Sequence, residues 1–223
     1  MTEKPIFARS TMDPISMSHP EIPLQAGGCY HIFNHANGPE QLFVQEGNYA
    51  YFLRKYAQHI SPLADTFAYC LMPNHFHLLV RIKTWEALPA HWDIEAYSPE
   101  TERRCAHKIS KCFGNLFSAY AQAFNKQQNR RGNLFISNFK RKSVTEDWYF
   151  ARLVHYIHYN AVHHGFHTHP CEWPHSSFMS LLSHRPTRLL REEVLAFFGG
   201  RDAFLAAHNL APEDKMLQLF SEW

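Results

Sequence analysis

Long apolar runs are missing from this 223-residue chain; the longest, such as 67–72 and 78–80, fall far short of the ~20 residues that span a bilayer. A helical membrane protein is therefore excluded. Cysteine is scarce and unevenly spaced, at positions 29, 70, 105, 112 and 171, so no disulfide framework is expected. The opening Met-Thr-Glu-Lys-Pro lacks the charged-then-apolar order of a secretory signal, which points to a cytoplasmic protein with reduced thiols. Charged residues are few at 19%, against 45% hydrophobic with 18 Phe, 10 Tyr and 5 Trp, a balance too apolar for a disordered chain. The length suits one core domain with appendages, and no internal repeat is present.

Formal net charge is only +2, although 17 histidines would take it to +19 if all were protonated. Its distribution says more than its sum. From Arg103 to Lys142 there are ten Lys/Arg and no Asp or Glu, whereas Thr84 to Glu102 carries five acids and no Lys or Arg. Such asymmetry points to a polyanion-facing side, most simply nucleic acid, with a solvated basic helix as the plain alternative.

Residues 1–25 hold four prolines without periodicity and read as a poorly ordered arm. Residues 28–35 suggest a first strand, followed by the turn residues Asn37, Gly38 and Pro39. Apolar residues at 49, 52, 53, 56 and 60 form a helical stripe. Strands over 66–72 and 75–82 follow, joined through Pro73-Asn74 as a hairpin. A helix over about 103–127 stacks Ile109, Phe113, Leu116, Tyr120 and Phe124 on one face. Residues 134–144 suggest a fourth strand, ending at a helix N-cap, Thr145, with Glu146 and Asp147 in the first turn. That helix should run to His164 and stop at Gly165. The order is β-α-β-β-α-β with an added helix, an α+β, ferredoxin-like (RRM-like) antiparallel sheet with helices on one face. Helical segments over 189–198 and 202–207 would append to it. Expected boundaries are an arm over 1–25, a core domain over 26–180 and a C-terminal helical extension over 181–223.

The sharpest local feature is His75-Phe76-His77, whose strand period puts both imidazoles on one face. Two imidazoles so placed can chelate one divalent ion, given a third ligand. The later helix offers Tyr156 and Asn160, four apart and hence on a shared face. A hard oxygen ligand beside two imidazoles suits Mg²⁺ or Mn²⁺ on a phosphate substrate better than a closed zinc site. Taken singly, Tyr156 would be a core aromatic and Asn160 a surface amide; the conjunction with the His pair and the basic segment is what favours chemistry.

Three runs carry a resemblance: Leu71-Met-Pro-Asn-His-Phe-His-Leu-Leu-Val80, Tyr156-Ile-His-Tyr-Asn-Ala-Val-His-His-Gly-Phe166 and Trp173-Pro-His-Ser-Ser-Phe178. They resemble the signatures of the REP-associated tyrosine transposases, relatives of the single-tyrosine HUH transposases of bacterial insertion sequences. Residues 29–35 and 133–140 are similar to that family's first strand and to its strand before the catalytic helix. The likeness covers about residues 28–180 and extends to the tail at 193–200.

The resemblance implies that His75 and His77 hold a divalent metal, Mg²⁺ or Mn²⁺, with Asn160 as third ligand, and that Tyr156 is the nucleophile. In such enzymes the phenolate attacks a phosphate of single-stranded DNA, leaving a 5′-phosphotyrosine link and a free 3′-OH. A phenol with a pKa near ~10 needs nearby positive charge to react at neutral pH. The chain has Ala161 where the family commonly has Pro, and Tyr159 is a rival to Tyr156; only Tyr156 has the four-residue offset to Asn160. Expected DNA contacts are Arg130, Arg131, Lys140, Arg141, Lys142 and Asn34, which would position the strand rather than read it. Phe135 and Phe139 could stack on bases, although their alternate spacing suits a core better. Recognition of a palindromic DNA hairpin with a short guide sequence is implied, by a monomer rather than a homodimer. Two rivals stand beside this expectation: a non-catalytic hairpin DNA- or RNA-binding module, and a zinc hydrolase, which lacks a clear carboxylate base beside the His pair.

Overall fold

The computed structural model describes residues 22–92, 98–213, 217 and 220, so most of the expected N-terminal arm lies outside the described residues. Four strands form one antiparallel sheet: β1 (Cys29–His35), β2 (Ala64–Leu71), β3 (His75–Ile82) and β4 (Lys140–Ser143), in the order β2-β3-β1-β4. Helix α1 (Glu46–His59) joins β1 to β2, and the 29-residue α2 (Pro99–Gln127) joins β3 to β4. This is the α+β, ferredoxin-like arrangement that the element order implies.

Strand alternation decides what each face holds. Phe76 on β3 packs against Phe52 of α1 and Phe117 of α2. Burying such a ring contributes about 2–3 kcal/mol. The sequence pattern placed helices on one face only, but α3 (Asp147–His163) covers the opposite face: Phe67, the extra residue of a β-bulge in β2, meets Phe150 of α3 edge-on. A helix with buried residues as apolar as Phe150, Leu153, Val154 and Ile157 cannot remain in solvent, so helices lie on both faces.

Three boundaries differ from the sequence pattern. Helix α2 starts at Pro99 rather than near 103, because Ser98 Oγ accepts from the Thr101 amide at 3.1 Å and proline fits the first helical position. Glu100 and Glu102 then complement the helix dipole from its first turn. Helix α3 is capped at Glu146, not Thr145, with the Phe150 amide donating to the Glu146 carbonyl at 3.0 Å. Strand character over 134–144 is reduced to Lys140–Ser143 and an isolated antiparallel bridge from Phe135 to Ala36. Asn138 adopts a left-handed φ of 62° that breaks the ladder, and the Asn34 side-chain amide and the His35 carbonyl pair instead with Ile136.

After α3, closed by Gly165 at φ 72°, come α4 (Phe178–Leu182), α5 (Arg191–Phe197) and α6 (Arg201–His208). They join the same core. Glu193 of α5 takes both guanidinium nitrogens of Arg81 on β3 at 2.5 and 3.0 Å, and the Leu190 amide donates to the Thr66 carbonyl. His208 of α6 hydrogen-bonds His158 of α3, whose other ring nitrogen meets Ser177 at 2.7 Å. No helix among the described residues is long and apolar enough to cross a membrane.

Candidate active site

His75 and His77 sit on the α3 side of β3, and the register sets His35 beside His75 and Phe33 beside His77 on β1. Tyr156 and Asn160 descend from α3 onto the same pair. The Asn160 Oδ1 lies 2.8 Å from His75 Nε2, and the Tyr156 ring stands edge-on to His77 with centroids 5.4 Å apart. All four side chains are buried, none more than 2% exposed. Residues 75, 77, 156 and 160, separated by some eighty positions in sequence, thus share one site.

Burial dominates the electrostatics. It pushes His75 down to about 3 although the neighbouring Asn160 acts in the opposite direction, and pushes His77 well below its usual range with His31 adding to the effect. His31, from β1, is likewise lowered to about 3 by burial and by nearby Lys142. These imidazoles are neutral around pH 7, the protonation state a metal ligand needs.

Several polar atoms in this buried site lack a hydrogen-bond partner: His77 Nε2, His31 Nδ1 and Asn160 Nδ2. An unpaired buried polar atom costs about 1–3 kcal/mol. His77 Nδ1 is 2.9 Å from His31 Nε2, so His31 occupies one ring nitrogen and leaves the other for something else. Two ligands on adjacent corners of an octahedron with bonds of about 2.1 Å lie about 3 Å apart, close to the 2.8 Å between His75 Nε2 and Asn160 Oδ1. The residues therefore fit a small divalent cation. Among the described residues no group of three or more His, Cys, Asp or Glu could hold a metal; the set here is two imidazoles and an amide oxygen. Among the described residues no carboxylate is hydrogen-bonded to His75 or His77.

The Tyr156 hydroxyl donates to the Phe220 carbonyl at 3.2 Å, and the Phe220 ring lies against Tyr156 and Tyr149. The phenol is thus covered by a residue near the C-terminus. Tyr159 is half-buried and meets His155 edge-on, on another side of α3.

The expected DNA contacts separate into two faces. Lys140 and Lys142 lie opposite Phe33 and His31, on the face of the histidine pair. Arg141 points the other way into a groove of about 890 Å³ between α2 and residues 132–139, lined also by Asn34, Lys111, Phe117, Phe135 and Phe139, and donates to Ser110 at 2.7 Å. Arg130 is ion-paired with Glu40 at 2.9 Å and bonded to Asn125, whereas Arg131 is exposed.

The sequence pattern gave no place in the site to His31, His35 or Phe220, and gave Asn74 and His164 only a hairpin turn and a helix end. His164 caps α3 and meets His75 edge-on at 4.9 Å. The alternation His31-x-Phe33-x-His35, echoing His75-x-His77, was the available signal for the β1 pair. Nothing local marked Phe220.

No family model matches the chain. A curated protein of Haemophilus influenzae, named as a REP-associated tyrosine transposase, is 28% identical over 119 residues, which is 51% of this chain and 58% of that protein's length. A solved structure of a REP-associated tyrosine transposase bound to a REP hairpin covers 77% of this chain and 89% of its own, at 16% identity and a TM-score of 0.49. The chain is similar in sequence to the family that its three motifs resemble.

Proposed function

We propose that the protein nicks single-stranded DNA near a hairpin and transfers the cut strand through a covalent tyrosine intermediate, as a metal-dependent transposase. The observation that carries this is the meeting of Tyr156 and Asn160 with the neutral His75–His77 pair in one buried site. The motif likeness and the relative's name point the same way.

In the proposed step the Tyr156 phenol gives its proton to solvent and its oxygen bonds to phosphorus. The bond from phosphorus to the 3′-oxygen breaks, and that oxygen leaves protonated as a 3′-OH. The product is a 5′-phosphotyrosine ester, and attack by a 3′-OH reverses the step with no net loss of phosphodiester bonds. His75, His77 and Asn160 would hold Mg²⁺ or Mn²⁺, which supplies Lewis-acid polarisation and orientation of the phosphate oxygens. Lys140, half-buried on the same face, is suited to hold a flanking phosphate, whereas Lys142 is buried. Cytoplasmic location and a monomeric state belong to the same proposal.

One observation favours a second reading, a hairpin DNA- or RNA-binding module: the Tyr156 hydroxyl is buried against Phe220. For catalysis that residue must move aside. His75→Ala discriminates between the two. A nickase should lose divalent-dependent cleavage of hairpin oligonucleotides while keeping affinity for them. Cleavage by the variant at the wild-type rate removes the pair from the chemistry.

A further inference from the structure

We infer that Asn74 and His35 are positioning residues that fix the proton of His75 on Nδ1 and so present its Nε2 lone pair to a metal; this rests on the metal-holding reading of the site. The chain of bonds starts at an atom with only one role. The Ala36 carbonyl can only accept, and His35 Nδ1 lies 2.7 Å from it, so His35 donates there through Nδ1–H. A neutral imidazole has one N–H, hence His35 Nε2 is an acceptor. Asn74 Nδ2 meets it at 3.0 Å as the donor, which turns the Asn74 carbonyl oxygen the other way. That oxygen is 2.9 Å from His75 Nδ1 and can only accept, so the His75 proton sits on Nδ1.

The consequence lands on the far side of the ring. His75 Nε2 carries a lone pair and faces Asn160 Oδ1, a second acceptor, at 2.8 Å. In this orientation the two acceptors cannot bond to each other, and either a cation between them or a half-turn of the Asn160 amide, whose Nδ2 is otherwise unpartnered, satisfies His75 Nε2. Without the relay, His75 would move its proton to Nε2 and donate to Asn160, satisfying both groups and closing the site to a metal. His35 supports this geometry further by stacking on His75, with rings 5.7 Å apart and 3° from parallel. Asn74 occupies the β2–β3 hairpin turn, directly before His75, and a ligand's outer partner of this kind is typically worth 10–100-fold in metal affinity.

Two measurements on the full chain test this. Long-range ¹H–¹⁵N correlation of histidine-labelled, EDTA-treated protein should find His75 protonated at Nδ1, and in Asn74→Ala or His35→Phe the proton should shift toward Nε2. Mn²⁺ titration by electron paramagnetic resonance should show Asn74→Ala binding roughly 10–100-fold more weakly, and Asn74→Asp, which keeps an acceptor for Nδ1–H, within a few-fold of wild type. A wild-type His75 proton on Nε2, or unchanged Mn²⁺ affinity in folded Asn74→Ala, overturns the relay. Failure of wild-type protein to bind Mn²⁺ with the proton on Nδ1 instead overturns the metal reading and leaves the relay standing. Should Asn74→Ala not fold, His35→Phe and the wild-type tautomer decide.

Discussion

Acidification from about pH 7 to about pH 5.5 should weaken the fold by several kcal/mol before any carboxylate titrates. Burial holds His31, His75 and His208 near pKa 3, and holds His77 and His158 well below 6.5. In the unfolded chain each returns to about 6.5. Below that value the unfolded state binds more protons, so this part of the stability is complete above about pH 6.5 and drains away as the pH falls toward 3. Over the stated interval each such imidazole removes about 1.3 kcal/mol. The hydrogen-bonded groups are His31–His77, His75 with its amides, and His158–His208. One proton for each gives about 4 kcal/mol, set against about 5–15 kcal/mol for a whole domain. His155, His164 and His175 shift in the same direction. Urea unfolding in EDTA, followed by tryptophan fluorescence, should show the midpoint falling by about 1–2 M at constant slope. An unchanged midpoint would refute the claim that these histidines are buried and neutral.

Phe220→Ala removes a ring that packs on Tyr149 and Tyr156; if that contact contributes about 1.4 kcal/mol to the covered state, initial nicking rates should rise roughly tenfold, and an unchanged or lower rate would count against the covering role. DNA affinity should fall steeply with salt, and Lys140→Ala should reduce the slope of log affinity against log salt by about 1. Glu193→Ala should cost only about 1 kcal/mol in urea unfolding, since its ion pair with Arg81 is roughly a third exposed on both sides.

Much of this was legible because strands and helices repeat with fixed periods. His75-Phe76-His77 announced its two faces, and the four-residue step from Tyr156 to Asn160 announced a shared helix side. What stayed hidden depends on tertiary contact. Strand β4 is shortened by a left-handed Asn138, a conformation that composition alone does not reveal. The second covered face follows from where α3 lands. Lys140, Arg141 and Lys142 looked like one basic patch, yet the pleat sends Arg141 to the opposite side. Phe220 reaches Tyr156 across 64 positions, and no local pattern encodes that distance.

The central claim is that Tyr156 becomes covalently joined to DNA. Wild-type protein and Tyr156→Phe should be incubated with labelled single-stranded hairpin oligonucleotides and Mg²⁺ or Mn²⁺, then resolved on a denaturing gel. The account predicts a protein band carrying the label, dependent on the metal, absent from Tyr156→Phe and retained in Tyr159→Phe. Hairpin binding with no adduct under any of these conditions, or an adduct that survives Tyr156→Phe, would contradict it.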